Sequence, residues 1–102
     1  MRLNQEQIKD IKKTVTSLAT MPVKIFLFGS RTSNQKKGGD IDLLVVTDSP
    51  EALELQKIVI LVQLKKCKSI GERKIDLIIA SENQTKKDAF LVQAMSEAIE
   101  LT

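Results

Sequence analysis

Apolar residues recur at helical spacing in the first part of the chain and cluster in short runs after it. In the first segment the spacing is that of one helix face, at Ile8, Ile11, Val15 and Leu18. This period is typical of an amphipathic helix that packs on a core. Asn4 can cap such a helix, with Gln7 placed as in a capping box, and Met21-Pro22 ends it. The pattern therefore predicts one core-facing helix.

Three short apolar runs predict strands. They cover residues 23–28, 40–46 and 74–80, and each has the length and the aliphatic or aromatic content of a buried strand. Residues 30–39, between the first two runs, are polar and contain two glycines, so we expect a loop there.

A second helix is predicted from Ser49, as its N-cap, to Lys66, with Pro50 in its first turn. Its centre, residues 58–62, is apolar all round, and its periodicity alone would also allow a strand; the capping and the length favour a helix. We expect such a surface either to be buried between the sheet and another layer or to cover a partner.

A final helix is predicted after Thr85, because the sequence Thr85-Lys86-Lys87-Asp88 matches a capping pattern. Its apolar face carries Leu91, Ala94, Met95 and Ala98. The order is helix, strand, strand, helix, strand, helix. It predicts a single domain over residues 1–102 of the α+β class (α/β two-layer), with a small mixed sheet of about three strands packed with three helices.

Composition limits the chemistry that this domain can carry out. The chain has no His, Tyr or Trp and a single cysteine, Cys67, which excludes histidine-dependent nucleophilic catalysis and an internal disulfide. No apolar run can span a bilayer and no secretory h-region is present, so we expect a cytoplasmic protein without membrane contact. The net charge of +3 is too small to indicate direct nucleic-acid binding.

Carboxylates interrupt two apolar strands at equivalent positions. Ile41-Asp42-Leu43 and Ile75-Asp76-Leu77 each place an acid between aliphatic residues, where an uncompensated buried charge costs on the order of several kcal/mol. Asp40 shares a strand face with Asp42, and Asp76 would join them if its strand lies alongside in matching register. Carboxylate oxygens suit Mg²⁺ or Mn²⁺, so these three acids are candidate metal ligands and catalytic residues.

Gly29 closes the first predicted strand, and the absence of a side chain there lets the backbone approach a phosphate closely. The hydroxyl of Ser30 can donate to a phosphate oxygen. A Gly-Ser turn after a strand is common on its own, but its short connection to the Asp pair favours a phosphate-binding turn.

Residues 27–31 (Leu-Phe-Gly-Ser-Arg), residues 39–43 (Gly-Asp-Ile-Asp-Leu) and the later Asp76 resemble the motifs of the nucleotidyltransferase superfamily of DNA polymerase beta. More narrowly, they resemble the minimal nucleotidyltransferase (MNT) domains, over nearly the whole chain. The resemblance implies a nucleotidyltransferase fold with two bound metal ions, Mg²⁺ or Mn²⁺, and ATP as substrate.

The resemblance also implies a role for each motif residue. The residues expected to bind the nucleotide phosphates are Gly29, Ser30 and Arg31. The residues expected to bind metal and to carry catalysis are Asp40, Asp42 and Asp76, of which Asp76 would also help to activate the acceptor hydroxyl. Family members often continue the turn with a second Arg and a Gly, where this chain has residues 32–35 (Thr-Ser-Asn-Gln).

MNT proteins are commonly encoded beside HEPN proteins, helical ribonuclease toxins, and act as their antitoxins by adenylylation. The resemblance therefore implies transfer of AMP from ATP to a hydroxyl on a HEPN partner. The apolar middle of the second helix and the helix from Leu91 to Leu101 offer surfaces for such a partner or for homo- or hetero-oligomers, and each equally suits core packing. One alternative is a catalytically weak or inactive module that neutralises its partner by binding, which the altered residues after Arg31 would favour. Another is a small-molecule nucleotidyltransferase of the aminoglycoside type, for which 102 residues provide no substrate domain.

Overall fold

A computed structural model describes residues 3–28, 41–71 and 73–102 of the chain. Five helices and four strands lie in these residues, which confirms the predicted α+β class. In chain order they are α1 (Gln5–Leu18), β1 (Val23–Phe28), β2 (Ile41–Thr47), α2 (Pro50–Glu54), α3 (Lys57–Lys66), β3 (Ile75–Ala80), α4 (Glu82–Lys87), α5 (Ala89–Glu97) and β4 (Ile99–Glu100).

The four strands form one mixed sheet in the order β3-β2-β1-β4. β1 is antiparallel to both β2 and β4, whereas β2 and β3 are parallel. The prediction of about three strands missed β4, because a two-residue strand carries no alternation to detect. It is held by pairing with β1 and by the N–H of Leu101, which donates to the Ile25 carbonyl at 2.7 Å.

Helix α1 begins with the capping box that the sequence predicted. The Gln7 N–H donates to Asn4 Oδ1 at 2.8 Å, and the Asn4 N–H donates to Gln7 Oε1 at 2.9 Å. The same Gln7 side chain is buried, and its Nε2 donates to the Ser69 carbonyl at 2.9 Å. One residue thus stabilises the helix start and connects it to the segment that precedes β3.

The predicted helix from Ser49 to Lys66 is two helices, α2 and α3. The N–H of Gln56 donates to the carbonyl of Leu53, three residues back, at 2.9 Å. This 3₁₀-type bond replaces the α-helical bond to the fourth residue back, and α2 ends there. Ser49 occupies the N-cap position but its side chain makes no capping bond. A strand at residues 58–62 is excluded, because these residues lie inside α3.

The prediction of a helix capped by Thr85 is wrong. Thr85 lies buried inside α4, and its hydroxyl donates to the Glu82 carbonyl at 2.6 Å. Ser81 caps α4, with Gln84 completing a capping box. Asp88 then caps α5, which ends at Glu97, so Ala98 lies just beyond the helix rather than within it. Two capping residues within eight positions divide the segment into two helices.

Alternating side chains along the strands form two apolar clusters on opposite faces of the sheet. The larger cluster joins the sheet to α1, α2 and α3 and contains Ile11, Val15, Ile25, Leu43, Leu53, Ile60 and Leu64 among others. The smaller one joins the sheet to α5 and contains Phe28, Leu44, Val46, Ala80, Leu91 and Ala94. Within the described ranges no helix combines the length and the apolar character needed to cross a bilayer.

Candidate active site

Asp42 and Asp76 lie side by side in the sheet. Strands β2 and β3 are parallel, and their register pairs Asp42 directly with Asp76. Neighbouring strands are roughly 4.8 Å apart, so the two carboxylates project from adjacent positions on one face. Asp42 is half-buried and Asp76 is exposed. The register that would bring Asp76 to Asp42 is therefore present in the sheet.

The carboxylate pair lies on the sheet face that packs against α5. The register of β1 and β2 places Phe28 opposite Asp42, and Phe28 belongs to the smaller apolar cluster. The C-terminal end of β1 and the N-terminal ends of β2 and β3 thus meet at one end of the sheet. Polar residues at this end are set into an apolar surface.

A cavity of about 670 Å³ opens beside the two carboxylates. Residues of the sheet, of helix α3 and of helix α5 line it, and since these helices pack on opposite faces of the sheet, the cavity extends around the edge strand β3. Its described lining consists of Phe28, Asp42, Ile75, Asp76, Leu77 and Ile78 from the sheet, Lys57 and Leu61 from α3, and Phe90, Gln93, Ala94 and Glu97 from α5. Such a volume is within the range of ligand-binding clefts.

Helix α5 presents both apolar and polar groups to this cavity. The ring of Phe90 meets that of Phe28 edge to face, with 6.2 Å between ring centroids and 84° between ring planes. Gln93 Nε2 donates to Glu97 Oε2 at 3.3 Å. Phe90 nevertheless remains mostly exposed, so a planar aromatic surface is available to a ligand beside the carboxylates.

Four of the predicted site residues lie outside the described residues: Gly29, Ser30, Arg31 and Asp40. Their predicted roles in phosphate and metal binding stay predictions. The described residues contribute two of the three predicted acids, and these two are brought together.

The donor chemistry of the pair fits a hard divalent cation. Two carboxylates directly opposite each other on adjacent strands repel, and an ion that prefers oxygen ligands would compensate both charges. Within residues 3–28, 41–71 and 73–102 no group of three or more His, Cys, Asp or Glu side chains could hold a metal ion. The described part of such a site thus consists of Asp42 and Asp76.

Sequence reasoning did not identify the cavity residues of α3 and α5. Phe90, Gln93, Ala94 and Glu97 follow the spacing of one helix face, so the pattern was present in the sequence. The predicted core face of this helix, which includes Leu91 and Met95, was easier to recognise because it is more apolar. Lys57 carries no distinguishing pattern.

The family model of the nucleotidyltransferase domain matches residues 8–101. The match includes most of α1 and all of the remaining helices and strands. No curated protein is significantly similar to the chain.

Proposed function

Because the chain belongs to the nucleotidyltransferase domain family and is thus a transferase of nucleotidyl groups, we propose that it moves AMP from ATP to a hydroxyl on a partner protein. The observation that carries this proposal is the pairing of Asp42 with Asp76 in the lining of the cavity. Two adjacent carboxylates beside a nucleoside-sized cleft suit the handling of a polyphosphate through divalent ions.

The transfer exchanges a phosphoanhydride bond of ATP for a phosphoester bond to the acceptor. The acceptor hydroxyl oxygen forms a bond to the α-phosphorus, and the bond from the α-phosphorus to the pyrophosphate oxygen breaks. The hydroxyl proton passes to the carboxylate of Asp76, which is exposed and can meet an incoming group. AMP ester and pyrophosphate are the products.

Asp42 and Asp76 would hold Mg²⁺ or Mn²⁺, together with Asp40. When bound, such ions would neutralise charge on the phosphates and orient them. Asp42 orients this assembly from the middle of the sheet, where β1 and β3 fix its strand on both sides. Fixed placement of these ligands would support catalysis, because small displacements of reacting groups reduce rates strongly.

The cavity supports ATP as the donor. The exposed ring of Phe90 offers a surface on which a purine base can stack. Gln93 carries an amide that can both donate to and accept from the base edge. The apolar residues Ile78, from β3, and Ala94, from α5, also line the cavity.

The position of β3 supports an acceptor on another protein. β3 is an edge strand of the sheet, so Asp76 is reached from the side of the molecule rather than through its core. The sheet and its helices account for the described residues, and a domain that holds the acceptor would have to come from outside these 102 residues. We propose that this partner is a HEPN ribonuclease and that the chain is its antitoxin.

The test is label transfer to a co-expressed HEPN protein. Purified protein, Mg²⁺ and ATP labelled at the α-phosphate should label the HEPN chain, and intact mass should rise by whole nucleoside monophosphates. Asp42→Asn should abolish both signals. Asp48→Asn is the matched control, because Asp48 is an exposed acid just beyond the far end of the same strand. Equal labelling by wild type and Asp42→Asn would refute the proposal.

A second candidate function follows from the residues after Arg31. Thr32-Ser33-Asn34-Gln35 lack the second Arg that family members often carry, and this favours a module that neutralises its partner by binding alone. Calorimetric titration with Mg²⁺ and ATP separates the two. Absence of nucleotide binding, with an intact complex between the proteins, would select the binding role.

A further inference from the structure

Helix α3, together with Leu55 just before it, carries a row of exposed apolar side chains. The exposed fractions are 83% for Leu55, 75% for Ile58, 43% for Val59 and 46% for Val62. Their spacing of three, one and three residues places them on one side of a helix. We call these four residues the α3 stripe.

The α3 stripe lies opposite the side of the helix that enters the core. Ile60 and Leu64 are fully buried in the larger apolar cluster. At 100° per residue they are about half a turn away from the centre of the stripe. The helix is therefore apolar towards the core and apolar away from it, and only the first surface is covered by the described chain.

The backbone keeps its helical sense across the junction of α2 and α3. Leu55 has φ −64° and ψ −22°, and Gln56 has φ −98° and ψ 0°. The N–H of Ile60 donates to the Gln56 carbonyl at 2.9 Å. Leu55 thus continues the row that begins in α3, although the hydrogen-bond ladder is interrupted before it.

Opposite charges stand at the two ends of the α3 stripe. Lys66 lies four residues after Val62 and so continues the same side of α3, and Glu51, in α2, lies four residues before Leu55. Both side chains are exposed. The surface therefore runs from an acid through four large apolar residues to a base.

We propose that the α3 stripe binds a second copy of this chain, with the two helices antiparallel about a twofold axis. This arrangement places Glu51 of each copy opposite Lys66 of the other, with Ile58 and Val59 at the axis. A parallel arrangement would instead oppose like charges, which is costly at an interface. Twofold pairing of one self-complementary surface is also the commonest form of homodimer.

The proposed dimer leaves the candidate active site open. Lys57 and Leu61, the α3 residues that line the cavity, lie on a different side of the helix from the α3 stripe. Self-association is thus independent of nucleotide transfer, and a variant that abolishes one should leave the other intact.

The first test measures molar mass by light scattering and sedimentation over a wide range of protein concentration. The wild type should change from monomer to dimer as concentration rises. Val62→Glu should raise the dimer dissociation constant on the order of 100-fold, because it buries an unpaired charge at the interface. Val92→Glu is the matched control, since Val92 is a valine with the same 46% exposure on α5.

The second test examines the antiparallel orientation by charge reversal. Glu51→Lys and Lys66→Glu should each weaken the dimer about 10-fold, because each replaces two attractive pairs with two repulsive ones. An equimolar mixture of the two variants, and the double variant, should regain dimerisation. In the double variant the reversed charges would interact unfavourably with the helix dipole. Recovery of the dimer in this variant would therefore show that the charges act by pairing between copies.

Three outcomes would overturn the proposal. In the first, the wild type stays monomeric at every concentration, including the case in which it associates only with a different protein. In the second, Val92→Glu weakens the dimer as much as Val62→Glu does. In the third, the charge-reversed variants fail to recover dimerisation when they are combined. Circular dichroism spectra should be unchanged in all variants, because every substituted side chain is exposed or nearly so.

Discussion

The two described carboxylates differ in their surroundings. Asp42 lies in a central strand, between β1 and β3, and is half-buried, whereas Asp76 lies on an edge strand and is exposed. A central position fixes a ligand in place, and an edge position lets a group from outside reach it. The pair therefore suits the proposed mechanism, in which Asp42 would bind metal and Asp76 would both bind metal and receive the acceptor hydroxyl.

We predict that Asp76→Asn lowers the rate of nucleotidyl transfer on the order of 100-fold, because it removes a negative ligand from the proposed metal-binding pair. Asp48→Asn should leave the rate unchanged. Rates are measured with labelled ATP, and Mn²⁺ affinity by calorimetry. Equal rates for wild type and Asp76→Asn would contradict the assignment, and so would an equal loss in both variants.

The acids could be found from the sequence because each stands out against its neighbours. Asp42 and Asp76 occupy the same position in two similar apolar strands, and strand periodicity determines which face each one occupies. Phe90 and Gln93 could not be found in this way, because polar and aromatic residues on an exposed helix face are common. Only packing of α5 on the sheet shows that this face borders the carboxylates.

At the scale of the elements, helix boundaries depend on single side chains. The carboxylate of Asp88 accepts from the N–H groups of Phe90 and Leu91, at 2.9 and 3.2 Å. These bonds begin α5 immediately after α4 ends, and they set the position from which Phe90 reaches the cavity. The capping residue thus contributes both to stability and to the shape of the site.

We predict that Asp88→Ala lowers the free energy of unfolding by about 1 kcal/mol, because two N–H groups at the start of α5 lose their acceptor. Asp88→Asn should lower it much less, since the amide oxygen can still accept. Urea denaturation followed by circular dichroism measures both variants. A result in which both lose equal stability would show that the capping bonds are not the cause.

Element types were easier to predict than element ends. Strands β1 to β3 and helix α1 follow from their apolar patterns, and the capping box of Asn4 and Gln7 fixes one boundary. The division at Leu55 and Gln56 could not be predicted, because neither residue is a helix breaker and the change is a single shortened hydrogen-bond step. Where several capping residues lie close together, as in residues 81–88, sequence alone does not decide which of them act.

At the scale of the whole molecule, one sheet separates two apolar clusters that different helices cover. The larger cluster lies on the face that α1 and α3 cover. The smaller cluster lies on the face that α5 covers, which also carries the carboxylate pair. A ligand that contacts both α5 and the sheet would therefore stabilise the less extensive side of the molecule.

We predict that ATP with Mg²⁺ raises the melting temperature. At about 100 times the dissociation constant, binding adds about 2.7 kcal/mol to the free energy of unfolding. For a domain of this size the melting temperature then rises on the order of 10 °C. Differential scanning calorimetry measures the shift, which Asp42→Asn should remove without loss of the folded spectrum. The same shift in Asp42→Asn and wild type would place nucleotide binding elsewhere.

The parallel pairing of β2 with β3 also determines when the site can first exist during folding. Asp42 and Asp76 are adjacent in space but 34 positions apart in the chain, from 42 to 76, with α2 and α3 between their strands. Contacts of such separation form slowly, because the intervening segment must close into a loop first. A chain still emerging from the ribosome, with β2 complete and β3 not yet made, has half of the carboxylate pair. Any metal binding by this pair would therefore have to follow synthesis of β3.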